Sequence, residues 1–393
     1  MSSSSSTPLR IAIIGAGLGG LTLARILQIH GLHPVVYELD TSATSRNQGG
    51  TLDMHVESGQ YALRAADLWA DFQKLVRLQG QDFKLIDKHN NVLIQEGSSQ
   101  ATEDRPEVDR SALKQILLDS MDSHLIQWGT RVTAVKPADN NTWTVVFNNI
   151  QEVTFDLVVG ADGAWSRVRS LLSDTKPTYS GTTLVETRFV HVDSKYPEIS
   201  ELIGQGNAFI VSDGKCMMAQ RNGDGSIRSY VTVQIDEQLL PQLQFRDADA
   251  ARTYLLAQLE DWDEGLRDMI RKCDEDITPR PIYVLPVSHT WTSRPGVTII
   301  GDAAHLMSPF AGEGANLAMW DGAELGLAIV DALKSGKDLH GAIAEFEQRM
   351  VQMSAPKAQE SADNLKLFTS PDTPRVIVDF FAQMGPHGPP QEL

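Results

Sequence analysis

Short apolar runs alternate with stretches of helical periodicity along most of this chain. Residues 9–14 form an apolar run, broken only by Arg10 and rich in β-branched side chains, the pattern of a strand buried on both faces in a parallel sheet. A glycine-rich turn follows. Apolar positions then recur at helical spacing over residues 18–30 and stop at Gly31, and residues 34–39 read as a second strand. Together these predict one β-α-β unit. Residues 49–54 read as a short strand, 58–79 as a helix, 83–93 as a hairpin with Asn90-Asn91 near its middle, and 109–121 as an amphipathic helix. Apolar and polar residues alternate over 132–153, so antiparallel strands are expected there.

The buried-strand pattern returns at 156–160 and again at 297–300. Between them the texture changes: residues 178–235 alternate and are broken by Gly-Asp and Asn-Gly turns, which predicts a separate, mostly antiparallel sheet. Residues 248–273, 314–334 and 339–367 read as helical, and the last eight residues as a loose tail. The expected fold is therefore α/β, with a Rossmann-like nucleotide domain in two parts, 8–177 and 276–335. An inserted substrate domain spans 178–275, and C-terminal helices over 336–385 cover and bridge the two.

Composition narrows the function classes. With 393 residues, two domains are expected. A formal net charge of -17 argues against nucleic acid or an anionic membrane as partner, because phosphate backbones select basic faces. The two cysteines, Cys216 and Cys273, make neither a disulfide framework nor a metal cluster, and predict a reducing, cytoplasmic setting. Residues 1–7 are mostly serine, expected as a disordered lead-in and not a signal peptide. No run of 18 apolar residues is long enough for a membrane span. A monomer acting on a small molecule is expected, with no metal.

The first chemical motif, Gly15-Ala-Gly17-Leu-Gly-Gly20, follows a strand and opens a helix. Gly15 permits the tight turn, Gly17 lets the backbone approach a pyrophosphate, and Gly20 lets helix and strand pack closely. The helix start offers unpaired N–H groups to phosphates. Glu38, at the end of the second strand, can accept the hydroxyls of an adenosine ribose. This motif alone does not distinguish FAD from NAD.

Two further motifs favour FAD. One is Asp156-Leu-Val-Val-Gly-Ala-Asp162-Gly163, followed by Ser166 and Arg169. The other is Gly301-Asp302-Ala-Ala-His305, followed by Pro309, Gly312, Gly314, Ala315 and Asn316. With all three in this order, the chain resembles the aromatic-hydroxylase class of flavin monooxygenases, typified by para-hydroxybenzoate hydroxylase. The resemblance implies that fold type and FAD as cofactor. It also implies NADPH or NADH as co-substrate, and O₂ activated as a flavin hydroperoxide. In that class the second motif, with Asp162, supports flavin and nicotinamide, and the acid matching Asp302 holds the ribityl hydroxyls. Asp302 follows a buried strand at the carboxyl edge of the sheet, where ligands bind. The helix start after Pro309 can point N–H groups at the flavin pyrimidine edge. His305 is expected to pack or hydrogen-bond and not to act as a base.

Gly49-Gly-Thr-Leu-Asp53, Pro106-Glu-Val-Asp-Arg110 and Gly301-Asp-Ala-Ala-His-Leu-Met307 also resemble the tetracycline-inactivating flavin monooxygenases of the Tet(X) type. That resemblance implies FAD contacts from Asp53 and Arg110 and a nicotinamide contact from Arg46. Its substrate-contacting glutamine falls on Glu186 and its arginine near Ala208, a departure that puts tetracycline itself in question. Arg188, Gln220, Arg221 and Arg228 complete the polar substrate candidates. The expected activity is hydroxylation of a small phenolic or enolic polycycle. Another flavin oxidoreductase (reductase, dehydrogenase or halogenase) and a non-enzymatic escort protein stay open as alternatives.

Overall fold

Five parallel strands carry the nucleotide-binding half. In spatial order they are Val297–Ile299, Leu157–Gly160, Ile11–Ile14, Val35–Tyr37 and Ile126–Gln127. The computed structural model describes residues 9–45, 49–97, 104–148, 151–243, 245, 247–274 and 276–384. Ile11–Ile14 is buried along its whole length, in one core with helix Leu18–Ile29 and side chains such as Val145 and Phe147, which is why it reads as an unbroken apolar run. The two-residue edge strand Ile126–Gln127 is too short to leave a periodic signature. Helix Leu18–Ile29 lies against helix Gly314–Ser335, and small residues permit the approach. A Cβ on Gly322 would sit 2.4 Å from the Gly19 carbonyl oxygen.

A seven-stranded sheet forms the second layer, in the order Thr278–Val284, Thr178–Phe189, Ile227–Gln234, Lys215–Arg221, Asn207–Ser212, Phe83–Ile86 and Val92–Glu96. All its pairings are antiparallel except that of Asn207–Ser212 with Phe83–Ile86. The hairpin expected near 83–93 therefore forms, but it extends the inserted sheet although it lies within the first nucleotide-binding segment in sequence. Likewise Thr278–Val284 pairs with Thr178–Phe189. Backbone ladders join strands without regard to sequence distance, so the sheet crosses the expected boundaries at 178 and 275. One face of this sheet packs Val185, Ile210, Met217 and Val231 against helices Pro197–Ile203, Ala248–Gln258 and Glu264–Arg271. The other face looks toward the carboxyl edge of the parallel sheet.

Two local expectations differ from the structure. Residues 58–79 hold two short helices, Tyr61–Ala65 and Trp69–Gln73, because Asp67 takes φ 56° between them. Residues 248–273 form two helices; the Asp263 side chain accepts from the Gly265 N–H and caps the second. Residues 132–155 form the expected antiparallel strands as a separate three-stranded sheet. Helices Leu339–Phe368 and Arg375–Met384 close the assembly, with Phe381 against Phe83. The expected loose tail lies outside the described residues. No helix is long and apolar enough to cross a membrane, among the described residues.

Candidate active site

Between the two sheets lies a cavity of about 740 Å³. The glycine turn forms one end. Gly15 has φ 110°, and a Cβ there would sit 2.2 Å from the Ala161 carbonyl oxygen; one on Gly20 would sit 2.2 Å from the Gly15 carbonyl oxygen. Gly17 differs: nothing lies within 4 Å of its Cβ position, which opens onto the cavity. The Glu38 carboxylate accepts from the Ala16 N–H at 2.7 Å and the Asp40 N–H at 2.9 Å. It therefore fixes the turn against the second strand.

The second and third motifs are tied to each other. Asp162 accepts from the Ser166 hydroxyl at 2.5 Å and the Arg167 N–H at 2.8 Å, which closes that turn. Burial alone pushes its carboxyl up, and these bonds oppose the shift. The buried Arg169 donates to the Ala164 carbonyl at 2.6 Å and to the Ala303 carbonyl at 3.1 Å, so it clamps the second motif to the helix that begins at Asp302. His305 is buried and bonds Asp321 at 2.7 Å, while Asp321 also accepts from the Gly301 N–H at 2.7 Å. Burial favours neutral His305, but Asp321 overcomes it and raises the pKa. His305 thus has the hydrogen-bonding role expected of it, as a brace for the turn that presents Asp302.

Asp302 faces the open cavity together with Arg110. Asp302 is exposed to the cavity, yet desolvation by the surrounding protein pushes its carboxyl upward, partly countered by His305 and Arg110. Asp53, Pro309, Gly312, Gly314 and Ala315 line the same space. Asn316 is fully buried and does not. Its amide donates to the Asp53 carbonyl at 2.8 Å and accepts from the His55 N–H at 3.0 Å, which positions Asp53. Arg46 lies outside the described residues.

A buried charge cluster has no counterpart among the sequence expectations. His55 Nε2 is 2.9 Å from Asp53 Oδ2, and its Nδ1 is 3.1 Å from Glu313 Oε2. Glu313 Oε1 in turn meets Lys357 Nζ at 2.6 Å. Burial alone would lower the His55 pKa, but the two carboxylates overcome it and push it to about 9. Burial alone would raise Glu313, but His55 and Lys357 hold it below the usual carboxylate range. Glu107, another cavity residue, pairs directly across the short ladder from Asp53. Burial first, then the facing Asp53 charge, pushes its carboxyl to about 8. No pattern local to the sequence brings residues 53, 107, 313 and 357 together. The pairing of Thr51–Asp53 with Glu107–Asp109 and the return of the last helices do so.

The far wall is the open face of the seven-stranded sheet. Leu184, Asn207, Phe209, Met218, Gln220 and Tyr230 project from it, joined by Phe83, Phe310 and Phe368. Phe209 contacts both Phe83 and Phe368. Of the five polar substrate candidates, Gln220 lines the cavity. Glu186 and Arg228 share its face but are paired with each other, and Glu186 also meets Arg280 at 3.0 Å. Arg188, opposite Arg228 on that face, is 3.8 Å from Asp224 and does not line the cavity. Arg221 is a correction. It follows Gln220 on one strand, so alternation turns it away from the cavity, where it bonds Asp193, Ser200 and the Gly204 carbonyl.

The family model described as an FAD binding domain matches residues 9–352. The chain belongs to this family. Monooxygenase penA of Penicillium thymicola is 33% identical over 366 residues, which cover 80% of this chain and 83% of the relative. Monooxygenase asqM of Emericella nidulans is 30% identical over 370 residues, with 80% and 82% covered. Among solved structures, Klebsiella pneumoniae HpxO complexed with FAD and uric acid has a TM-score of 0.78 at 20% identity, covering 95% of this chain and 92% of that one. Tetracycline destructase Tet(51) has a TM-score of 0.71 at 19% identity, with 95% and 94% covered. At those identities the solved structures bear on the fold alone. These two relatives, both at or above 30% identity, are fungal monooxygenases, which moves the resemblance away from the tetracycline-inactivating subfamily.

This flavin monooxygenase carries the donor set that FAD requires. Gly17 leaves an open cradle at a helix N-terminus, suited to a pyrophosphate. The Asp302 carboxylate faces the cavity, suited to a polyol chain. Arg110 adds a cation beside it.

Proposed function

We propose that this flavin monooxygenase hydroxylates a flat phenolic or enolic polycycle, taking electrons from NAD(P)H and one oxygen atom from O₂. The observation that carries this reading is the single cavity that runs from Gly17 and Asp302 to an aromatic wall of Phe83, Phe209, Phe310 and Phe368. Gly17, Asp53, Arg110, Asp302, Pro309, Gly312, Gly314 and Ala315 would hold FAD, with Gly15, Gly20, Glu38, Asp162 and Asn316 shaping the turns that present them. When bound, FAD supplies hydride acceptance and oxygen activation. The chain's own residues orient and desolvate. The aromatic wall excludes water and stacks on a planar substrate, while Gln220, Asn207 and Tyr230 offer a few polar groups to set its register. Residues 8–177 and 276–335 then serve the cofactor. Residues 178–275, with the 83–96 hairpin, serve the substrate, and 336–385 close the cavity.

The motifs contain one dinucleotide fingerprint, so NAD(P)H binds transiently near the flavin. Arg46 is the proposed contact, and Arg46→Ala should slow anaerobic reduction by NADPH while FAD content holds. Tetracycline-type polycycles belong to the substrate class but are not singled out within it, because Glu186 is committed to Arg228 and Arg280. The deciding experiment is a panel of polycyclic phenols and enols, tetracyclines included. It is assayed for substrate-stimulated NAD(P)H consumption and for products heavier by one oxygen atom. A protein that stays colourless with FAD, or that oxygenates nothing in the panel, would refute the reading.

A further inference from the structure

We propose that Asp53, His55, Glu313 and Lys357 form a proton path from the protein surface to the catalytic cavity. The inference rests on the monooxygenase reading above. In that reaction NAD(P)H, a proton, O₂ and a substrate C–H become NAD(P)⁺, water and a substrate C–OH. One proton must therefore enter in each turnover, yet the chemistry wants a cavity closed to water.

The four groups make a line with one end in each environment. Asp53 lines the cavity, with its side chain 32% exposed. His55 and Glu313 are sealed at 2% and 3%, and Lys357 emerges at 25% on helix Leu339–Phe368. Glu57 and Glu360 lie close enough to act on Lys357. Each interior group meets its two neighbours through different atoms. His55 Nε2 is hydrogen-bonded to Asp53, whereas its Nδ1 lies 3.1 Å from Glu313 Oε2 as an ion pair without hydrogen-bond alignment, which a turn of the ring must supply; Glu313 Oε1 forms a second ion pair with Lys357. A proton can thus leave on the side opposite to the one it entered. His55 gives its Nε2 proton to Asp53 Oδ2. His55 keeps its Nδ1 proton, and a turn of the imidazole points the emptied nitrogen at Glu313. Lys357 then gives a proton to the Glu313 carboxylate, which passes it to that nitrogen, and Lys357 takes a replacement proton from water. The line begins and ends with two acids and two bases, so no net charge is buried.

A structural role alone explains this arrangement poorly. Asn316 already ties the Asp53 strand to the Gly312 loop through neutral hydrogen bonds. Buried ion pairs are weak sources of stability, because desolvating the charges offsets their attraction.

Two variants test the path. In His55→Gln, the FAD dissociation constant should stay within about threefold of wild type while turnover falls tenfold or more. The residual rate should rise with the concentration of a small buffer acid such as formic acid, and its solvent deuterium isotope effect should exceed that of wild type. A His55→Gln enzyme with wild-type turnover, or one slowed without buffer dependence and without a larger isotope effect, overturns the path. The second arm needs neither cofactor nor turnover. In ¹⁵N-histidine-labelled protein without FAD, Lys357→Met should slow exchange of the His55 ring protons with water at least tenfold, and unchanged exchange overturns the path. If wild type binds no FAD or consumes no NAD(P)H, the monooxygenase reading has failed, and the exchange arm still decides whether protons travel along the line.

Discussion

Gly15→Ala and Gly17→Ala should separate folding from cofactor binding within one loop. At Gly15 the backbone has φ 110°, where an L side chain is strained by about 1–3 kcal/mol. The new methyl would also sit 2.2 Å from the Ala161 carbonyl oxygen, about 1 Å inside an ordinary contact. The obstruction is backbone on a buried strand end, so it cannot rotate aside. Overpacking of this kind costs about 1–3 kcal/mol more. The sum, roughly 2–6 kcal/mol, is a large part of the roughly 5–15 kcal/mol that holds a typical protein folded. At Gly17 the backbone is extended with φ -75° and ψ 177°, and no atom lies within 4 Å of the Cβ position. Only the helix N-cap preference changes, by about 1 kcal/mol or less. A methyl there projects into the space proposed for the pyrophosphate. Urea unfolding of the FAD-free proteins, followed by tryptophan fluorescence, should show a large drop in midpoint for Gly15→Ala and a small one for Gly17→Ala. FAD titration of Gly17→Ala should show at least tenfold weaker binding, equivalent to about 1.4 kcal/mol. A Gly15→Ala midpoint equal to wild type would refute the packing argument. Unchanged FAD affinity in Gly17→Ala would refute the placement of the pyrophosphate.

Asp302→Ala should weaken FAD by roughly 1–3 kcal/mol, the typical cost of leaving buried polar groups unpaired, which equilibrium titration of the apoprotein measures. Glu107 has its folded pKa raised to about 8 from 4.5. Between those values the folded state binds more protons than the unfolded, so this residue makes stability fall as pH rises through that window. Glu107→Gln should flatten the pH dependence there and melt above wild type at pH 8; a steeper decline would contradict the assignment. Gln220→Ala should raise the substrate KM with FAD content intact. Arg221→Ala should instead lower the melting temperature with KM little changed, because its guanidinium serves Asp193, Ser200 and Gly204 on the opposite face.

Much of the cofactor half is legible in the amino-acid sequence. Buried parallel strands leave continuous apolar runs, and the glycine turn needs particular residues at particular spacings, so Ile11–Ile14, Gly15, Gly17 and Gly20 declare themselves locally. Asp302 does so too, as an acid placed just past a buried strand. The substrate half is legible as a texture but not as a site. Alternation alone rules out Gln220 and Arg221 facing the same cavity, yet which of the two faces inward depends on the helices that cover the other face. Glu186 and Arg228 look like free polar groups in sequence, and only the register of Thr178–Phe189 on Ile227–Gln234 pairs them.

The sequence by itself determined the nucleotide-binding framework, because its signals are short-range: hydrophobic period, turn chemistry and motif spacing. Only the tertiary structure decided which ionisable groups share an environment. The Asp53–Glu107 ladder and the contacts from His55 through Glu313 to Lys357 join residues far apart in the chain. Their charges depend on burial and on neighbours within a few ångströms, and the chain acquires both only when the last helices fold back over the cavity.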